Sequence, residues 1–447
     1  MNNTNDFYRK MLAIAIPISL QSLIVSFLNT LDTMMISSLG PEAIAGVGLA
    51  NQVFFFFTMI CFGTATGASV MIAQYHGRGD LAKLQKVNAF SCLITFSVAI
   101  IFTLLAFIMP EKLLGLMIDD PAVIAEGSKY LSVVAWSYAL TGISFVNSVA
   151  LRSTGNPRSP LAAAIIGFIF NAFFNYAFIF GKFGFPELGV VGAAVGTIIA
   201  RSMELIVIFY TISRYDSPLN GPIREMFNFR GDFIQRFMRI TFPVIINETF
   251  WGLGQVLYSV AYAMVGTKET AAVQVVFAIQ NLAFVLIRGL SNACTIMLGN
   301  TIGRGVMDIV YPHAIRFLKM GGLIAIFVGL FLSLTPSLSL QLFPSLTPEV
   351  YQLCKTLLNY MGFIFILKAV NSILIVGVLR GGGDTRYSLF LEMGSVWLVG
   401  VPLAFLGAAV LNFPIEGVVM LAATEEVTKL VIGLFRVKSK KWIHEIS

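Results

Sequence analysis

Two acidic side chains stand in apolar sequence with nothing nearby to neutralise them. Asp32 lies among Leu28, Leu31, Met34 and Met35, and Glu248 is followed by Phe250 and Trp251; neither has a Lys or Arg within helical reach. A carboxyl held in such surroundings has a protonation state that its environment controls. It suits exchange of a proton or a metal ion for cargo. Asn171 and Asn175 are four residues apart and share one helix face. With Thr197 they add the oxygen ligands that a hard cation such as Na+ prefers. Asn and Thr alone also serve as polar glue between membrane helices; the unpaired Asp32 tips the reading to an ion or proton site. Glu248, with Trp251, Gln255 and Tyr258 further along, offers charge pairing, cation–π contact and stacking, which is the chemistry that holds a lipophilic organic cation.

These residues need helices that cross a bilayer. The chain is 57% hydrophobic and 12% charged, with a mean hydropathy of +0.83, whereas a soluble domain carries about 25% charged residues. Spans of roughly 20 apolar residues fall near 11–38, 43–75, 86–110, 127–151, 159–181, 190–213, 238–265, 269–300, 314–335, 350–379, 387–411 and 415–435. Asp32 then sits about 9 Å from the outer end of its span, taking about 1.5 Å per residue, and Asn175 and Thr197 sit at matching depth. The first apolar run starts near Met11 and is too long for a signal core, so no cleavable signal is expected and a prokaryotic inner membrane is the expected compartment.

Setting aside charges assigned to the loop ends of these spans, ten lie within the apolar part: Asp32, Arg201, Glu204, Glu248, Arg288, Lys368, Glu392, Glu425, Glu426 and Lys429. Arg201 and Glu204 at i,i+3, and Glu425 and Lys429 at i,i+4, can pair on one helix face. Glu392 lies near the inner end of its span, and Arg288 and Lys368 have no partner close in sequence.

The chain is also written twice. Pro17 matches Pro243, Gly40 matches Gly266 and Gly77-Arg78-Gly79 matches Gly303-Arg304-Gly305 at an offset of 226; Leu151-Arg152 matches Leu379-Arg380 and Gly155 matches Gly383 at 228. Repeated halves in an apolar chain are a mark of transporters. With the N-terminus in the cytoplasm, twenty-one loop and tail Lys and Arg residues fall on the inner side and five on the outer. The positive-inside rule then puts both termini inside. The expected fold is an all-α integral membrane protein of twelve transmembrane helices, in two six-helix lobes related by a pseudo-twofold axis along the membrane normal. Residues 1–213 form the N-lobe, 214–237 a cytoplasmic linker and 238–447 the C-lobe.

Several function classes fall away. The net charge of +7 comes from short loops between apolar spans and does not indicate nucleic acid. Cys61, Cys92, Cys294 and Cys354 read as small buried hydrophobes, and His76, His313 and His444 lie in loops or the tail, so no metal is expected beyond a Na+ at Asp32. No GxxxxGK[ST] sequence is present, so transport would draw on an ion gradient or a partner ATPase. The Gly381-Gly382-Gly383-Asp384 stretch reads as a turn, because its repeat partner Ser153-Thr154-Gly155-Asn156 lacks the glycines of a phosphate cradle. An enzyme would need a nucleophile–base pair or a metal cluster in the spans, where no His lies; a channel would show steady conductance.

In this order and on this topology, the chain resembles the multidrug and toxic compound extrusion (MATE) family. The matching residues are Pro17; Asp32 with Ser38-Leu39-Gly40-Pro41-Glu42-Ala43-Ile44-Ala45-Gly46; Gln74 to Gly79; Leu151 to Pro157; Asn171 to Gly181; Gly189 to Ala194; and Leu379-Arg380-Gly381 with Gly383-Asp384. The resemblance implies a monomeric antiporter without cofactor, exporting small organic cations and drugs against Na+ or H+, with Asp32, Asn171, Asn175 and Thr197 as the cation site. It matches Glu248 to an acid used by one subgroup; that subgroup's tenth-span Asp is replaced here by Ala369 or its neighbours Lys368 and Asn371. It also implies a hinge near Pro17, where a proline kink is physically expected, and alternating access with cargo held between lobes. The alternative within the same superfamily is a lipid-linked precursor flippase or a metabolite exporter.

Overall fold

The computed structural model describes residues 4–214, 217–343 and 346–445. In chain order the α-helices are α1 (Thr4–Ser37), α2 (Pro41–Arg78), α3 (Leu81–Ile108), α4 (Pro110–Gly115), α5 (Pro121–Val134), α6 (Ser137–Ser153), α7 (Arg158–Phe180), α8 (Val190–Arg214), α9 (Ile223–Met226), α10 (Gly231–Ala263), α11 (Thr267–Gly303), α12 (Val310–Leu334), α13 (Pro336–Ser339), α14 (Pro348–Ser372), α15 (Thr385–Ser395), α16 (Val401–Phe405), α17 (Ile415–Ala422) and α18 (Thr424–Lys438). No strand occurs among the described residues, only an isolated bridge between Gly383 and Ile443.

Each expected span has a helical counterpart. Among the described residues nine helices are long and apolar enough to cross a membrane alone, and ten spans result if α5 and α6, bent by 54°, count as one. The other two depart for visible reasons. Asp232, Arg236, Arg239, Asn247 and Glu248 dilute the apolar run of α10, and the last span is broken at Ala423 between α17 and α18. The fold is therefore that of an all-α, multi-pass membrane protein.

The repeat in sequence is a repeat in backbone. Gly79 and Gly305 adopt left-handed φ values of 76° and 74°, and Gly155 and Gly383 adopt 88° and 91°. Each ends a helix where an L side chain would be strained.

Contacts gather the chain into two units, Leu20–Ile245 and Met1–Ser19 with Ile246–Ser447. These differ from a division at 213 and 238. The first residues of α1 cluster with the second half, while 214–237 and the start of α10 cluster with the first. Both changes of unit come just after a proline inside a helix, Pro17 in α1 and Pro243 in α10. Pro17 is buried and α1 is continuous around it.

In the unit Leu20–Ile245, α7 and α8 form a closely packed antiparallel pair, and α2 packs on α3, α5 and α6. Small residues permit these approaches, as expected where lipid gives helices no hydrophobic reason to associate. A Cβ on Gly46 of α2 would lie 2.5 Å from the Gly127 nitrogen of α5. Phe57 stacks on Tyr138 at 5.0 Å within the same core. In the other unit, α12 crosses α14 at Gly329 and Gly362.

Unlike its first-half counterparts, the tenth span leaves α geometry. After α14 the chain runs as a π-helix over Ile373–Arg380, and π turns recur at Val396–Gly400 and Leu406–Val410. Such turns are uncommon and gather at functional sites. Cys61, Cys294 and Cys354 are buried and all four cysteines are free.

The Gly381-Gly382-Gly383-Asp384 stretch is a turn closed by the tail. His444 donates its backbone N–H to the Gly382 carbonyl at 2.8 Å, Trp442 is fully buried against Gly382, and Arg436 donates to Asp384 at 2.8 Å. Burial alone would raise the Asp384 carboxyl, but hydrogen bonds from His444 and Arg436 outweigh it and hold the group below the ordinary carboxylate value of 3.8. A carboxyl lowered on folding stabilises the protein above its unfolded pKa and loses that contribution as pH falls through the folded value. Melting temperatures of wild type and Asp384→Asn in detergent should therefore differ most at neutral pH and converge as the buffer is taken below about pH 4; parallel curves would show that Asp384 carries no such linkage.

Candidate functional site

Within the unit Leu20–Ile245 the structure brings together the four residues whose types suggested a cation site. Asn175 and Asn171 lie one turn apart on α7, both buried. The Asn175 amide donates from Nδ2 to Asp32 Oδ1 at 2.7 Å and to Asn171 Oδ1 at 3.1 Å. Its own Oδ1 is buried and receives no donor. That oxygen faces α8 at Gly196, where a Cβ would press directly upon it. Thr197 follows on α8, donating to the Ala193 carbonyl at 2.9 Å, and shares a hydrogen bond with Tyr130 of α5. Asp32 is half-buried. The arrangement offers a carboxylate, two amide oxygens and a hydroxyl from α1, α7 and α8, all of them oxygen ligands.

Two neighbours were not singled out beforehand as members of this group. Tyr130 is buried and close enough to feel the charges of Asp32 and Arg201. Arg201 also acts on Asp32 through space, so the acid has a cation near it that α1 alone does not supply. Arg201 makes its ion pair with Glu204 at 2.8 Å, as their spacing suggests. Nothing in one sequence distinguishes Tyr130 from other span tyrosines. The signal for Arg201 is its place one turn beyond Thr197, on the same face.

In the other unit, Glu248, Trp251, Gln255 and Tyr258 recur along one face of α10 at steps of three, four and three. The structure corrects the picture of Glu248 as an unpartnered acid. It is buried and accepts from Arg380 Nη1 at 2.5 Å, and Glu392 accepts from Arg380 Nη2 at 3.2 Å and from Asn247 at 2.5 Å. Glu392 thus belongs to this network rather than reaching an interface. Arg380, last residue of the π stretch, is fully buried. Tyr258 belongs to a second network, donating to Glu425 at 2.6 Å. Trp251 and Gln255 are half-buried. The structure does not join these four residues in one site. Arg288 lies 6.0 Å over the Phe284 ring and Lys368 5.3 Å over Phe277.

Comparison with known proteins agrees with the repeat. The MatE family model matches twice, over residues 17–177 and 243–406. The chain is 26% identical over 412 residues to a probable multidrug resistance protein NorM of Thermotoga maritima, covering 90% of this chain and 85% of that one. It is 25% identical over 431 residues to the uncharacterized transporter YisQ of Bacillus subtilis, covering 96% and 94%. Among solved structures it superposes on a MATE crystal structure in the bent conformation with a TM-score of 0.88 at 20% identity, covering 98% of this chain and 96% of that chain. An outward-facing MATE transporter of the MOP superfamily gives 0.87 at 20% identity, with 97% and 96% covered.

Two outcomes follow from the geometry. Removing one partner of a buried ion pair strands the other charge, at a cost of about 3–5 kcal/mol. Arg380→Gln should therefore lower the detergent melting temperature sharply, and the triple change Glu248→Gln, Arg380→Gln, Glu392→Gln should recover most of it; equal losses in both would mean that charge stranding is not the cause. At Gly196, an alanine would push the Asn175 amide off Asp32. Added Na+ or acid should raise the wild-type melting temperature; Gly196→Ala should abolish that rise, while Gly48→Ala, where a Cβ meets nothing within 4 Å, should leave it unchanged.

Proposed function

The chain belongs to the MatE family of membrane transporters, and on that premise we propose that it is an antiporter that exports small organic cations and drugs in exchange for Na+ or H+ bound at Asp32. The observation that carries the reading is the hydrogen bond of 2.7 Å from the buried Asn175 amide to the Asp32 carboxylate. It fixes an acid from α1 against α7 at the depth of a span, where a charge is costly and marks an ion pathway by default. The names of the relatives, among them probable multidrug resistance proteins of Thermotoga maritima and Agrobacterium fabrum, support drugs as cargo.

Exchange follows from electrostatics. With Asp32 ionised, the Asn175 donor and the nearby Arg201 hold the carboxylate in place. A proton or Na+ arriving from outside neutralises it. The amide then loses its charge-assisted bond, and such bonds are roughly twice as strong as neutral ones. The balance among α1, α7 and α8 shifts, cargo is released outward, and departure of the cation to the cytoplasm resets the unit. A ligand moves an equilibrium only by its differential affinity for the two states, and here that difference resides in whether Asp32 carries charge. Lys and Arg are concentrated in alternate loops, which supports a topology with both termini in the cytoplasm.

Ethidium efflux from proteoliposomes, driven separately by a Na+ gradient and by a pH gradient, tests the reading. Wild type should respond to one gradient, and Asp32→Asn should lose the response at least tenfold with normal expression and folding. Wild-type efflux in Asp32→Asn would refute the role given to this acid.

A further inference from the structure

The second half carries, in register with the Asp32 site, a buried cluster in which the acid has moved to another helix. Shifting the first half by 226 takes Asp32 to Tyr258, and shifting by 228 takes Thr197 to Glu425 and Arg201 to Lys429. These three meet in space. Tyr258 donates to Glu425 Oε2 at 2.6 Å, and Lys429 donates to Glu425 Oε1 at 3.1 Å and to Glu426 Oε1 at 3.4 Å. Asn371, near the end of α14, donates from Nδ2 to Glu426 Oε2 at 2.8 Å. Glu425, Glu426, Lys429 and Asn371 are all buried, at 6% exposure or less.

Gly400, in a π turn, makes room for the contact. A Cβ there would press on the Tyr258 hydroxyl and lie 2.7 Å from Glu425 Oε2. Beside Glu426, the buried Asn371 Oδ1 accepts no hydrogen bond.

Charge decides what the cluster holds. Two carboxylates share one ammonium as their ion-pair partner, leaving one negative charge without a partner of its own in a buried site, which is unfavourable. The groups brought by the packed elements do not remove it. From α10 come Tyr258 and Tyr262, which are neutral phenols. From α14 comes Lys368, half-buried, with its ammonium over Phe277; it acts on both acids through space but makes no ion pair with either. Arg380 of the π stretch is held by Glu248 and Glu392, and Glu392 of α15 adds negative charge; Glu416 of α17 is half-buried and also negative, and Val396–Gly400 brings no charge. A metal ion fits poorly, because the Lys429 ammonium already stands between the two carboxylates and repels a second cation there. A proton fits: it cancels the surplus charge and needs a single lone pair, which either carboxylate retains beside the donor it faces, with Asn371 Oδ1 an unused acceptor next to Glu426.

We propose that Glu425 and Glu426 share one exchangeable proton, making the second half a proton site that corresponds in the repeat to the cation site at Asp32. Its part in transport rests on the antiport reading above; its occupancy does not. The proton sits on one carboxyl of the pair when the site faces acid solution and passes to hydroxide, forming water, when it faces alkaline solution, with Lys429 keeping the remaining charge in place. Transport would then respond to pH even where Asp32 takes Na+.

Infrared difference spectra of the purified full-length protein between neutral and alkaline pH test the occupancy. Wild type should show a protonated-carboxyl band that moves in D2O. Asp32→Asn should retain it, and in the Asp32→Asn background, where Asp32 contributes no carboxyl band, Glu425→Gln and Glu426→Gln should each abolish it. Each glutamine variant keeps one acid opposite Lys429, a balanced pair, so neither should lower the melting temperature. Absence of the band in wild type, or its survival in both glutamine variants of that background, would overturn the proposal. In proteoliposomes, protons moved per ethidium should fall by one in Glu425→Gln. Efflux indifferent to both gradients would sink antiport while leaving the spectroscopic result to judge the proton site.

Discussion

Ionisable groups inside an apolar span have no water to solvate them, so each must find its counterpart within the protein. The fold supplies such counterparts at four places among the described residues. Asp32 receives the Asn175 amide, Arg201 pairs with Glu204, Arg380 lies between Glu248 and Glu392, and Lys429 lies between Glu425 and Glu426. In the last two, carboxylates outnumber cations, so the charge is nearly but not fully met. A structure built only for stability would use apolar residues there, since replacing buried ion pairs by packed hydrophobes is often neutral or stabilising. Polar networks that stay short of balance are suited to gaining and losing a small cation.

Geometry around these networks is set by small residues and by irregular helix. Gly196 lets the Asn175 amide approach α8, and Gly400 does the same for Tyr258 and Glu425. The π stretch Ile373–Arg380 begins just after Asn371 and ends at Arg380, so a single irregular segment links the two charged clusters of its unit. A change of register in that stretch would rotate Arg380 relative to Asn371. Any coupling between the two clusters would thus run through the short stretch from Asn371 to Arg380.

Much of this was legible in the sequence. The repeat, the all-α spans and the turns at Gly79, Gly155, Gly305 and Gly383 follow from composition and from glycine placed after apolar runs. Asn171 and Asn175 were legible because their spacing is local and their neighbour Asp32 lacked any cation on its own helix. Long-range pairing was not legible. Arg380 closes a short Leu-Arg-Gly motif at a span end and looks like a loop charge, yet its partner Glu248 is 132 residues away. For the same reason Glu248 read as an open acid for cargo and Glu392 as an interfacial one. Tyr130 carried no pattern at all, and the π turns left no mark in hydropathy.

The two halves share ancestry in sequence but divide the chemistry differently. In the first, the acid is on α1, and amides and a hydroxyl complete an oxygen-rich group with an unused acceptor at Asn175 Oδ1. In the second, the position of the acid is taken by Tyr258, the acid stands where Thr197 stood, and donors occupy every carboxylate oxygen. Oxygen lone pairs facing inward suit either Na+ or a proton; carboxylates bridged by an ammonium leave room for a proton alone. On the proposals made above, one ancestral arrangement would have yielded two sites of different selectivity. The difference rests on a few side chains, because in a medium without water the direction of each hydrogen bond decides which cation can enter.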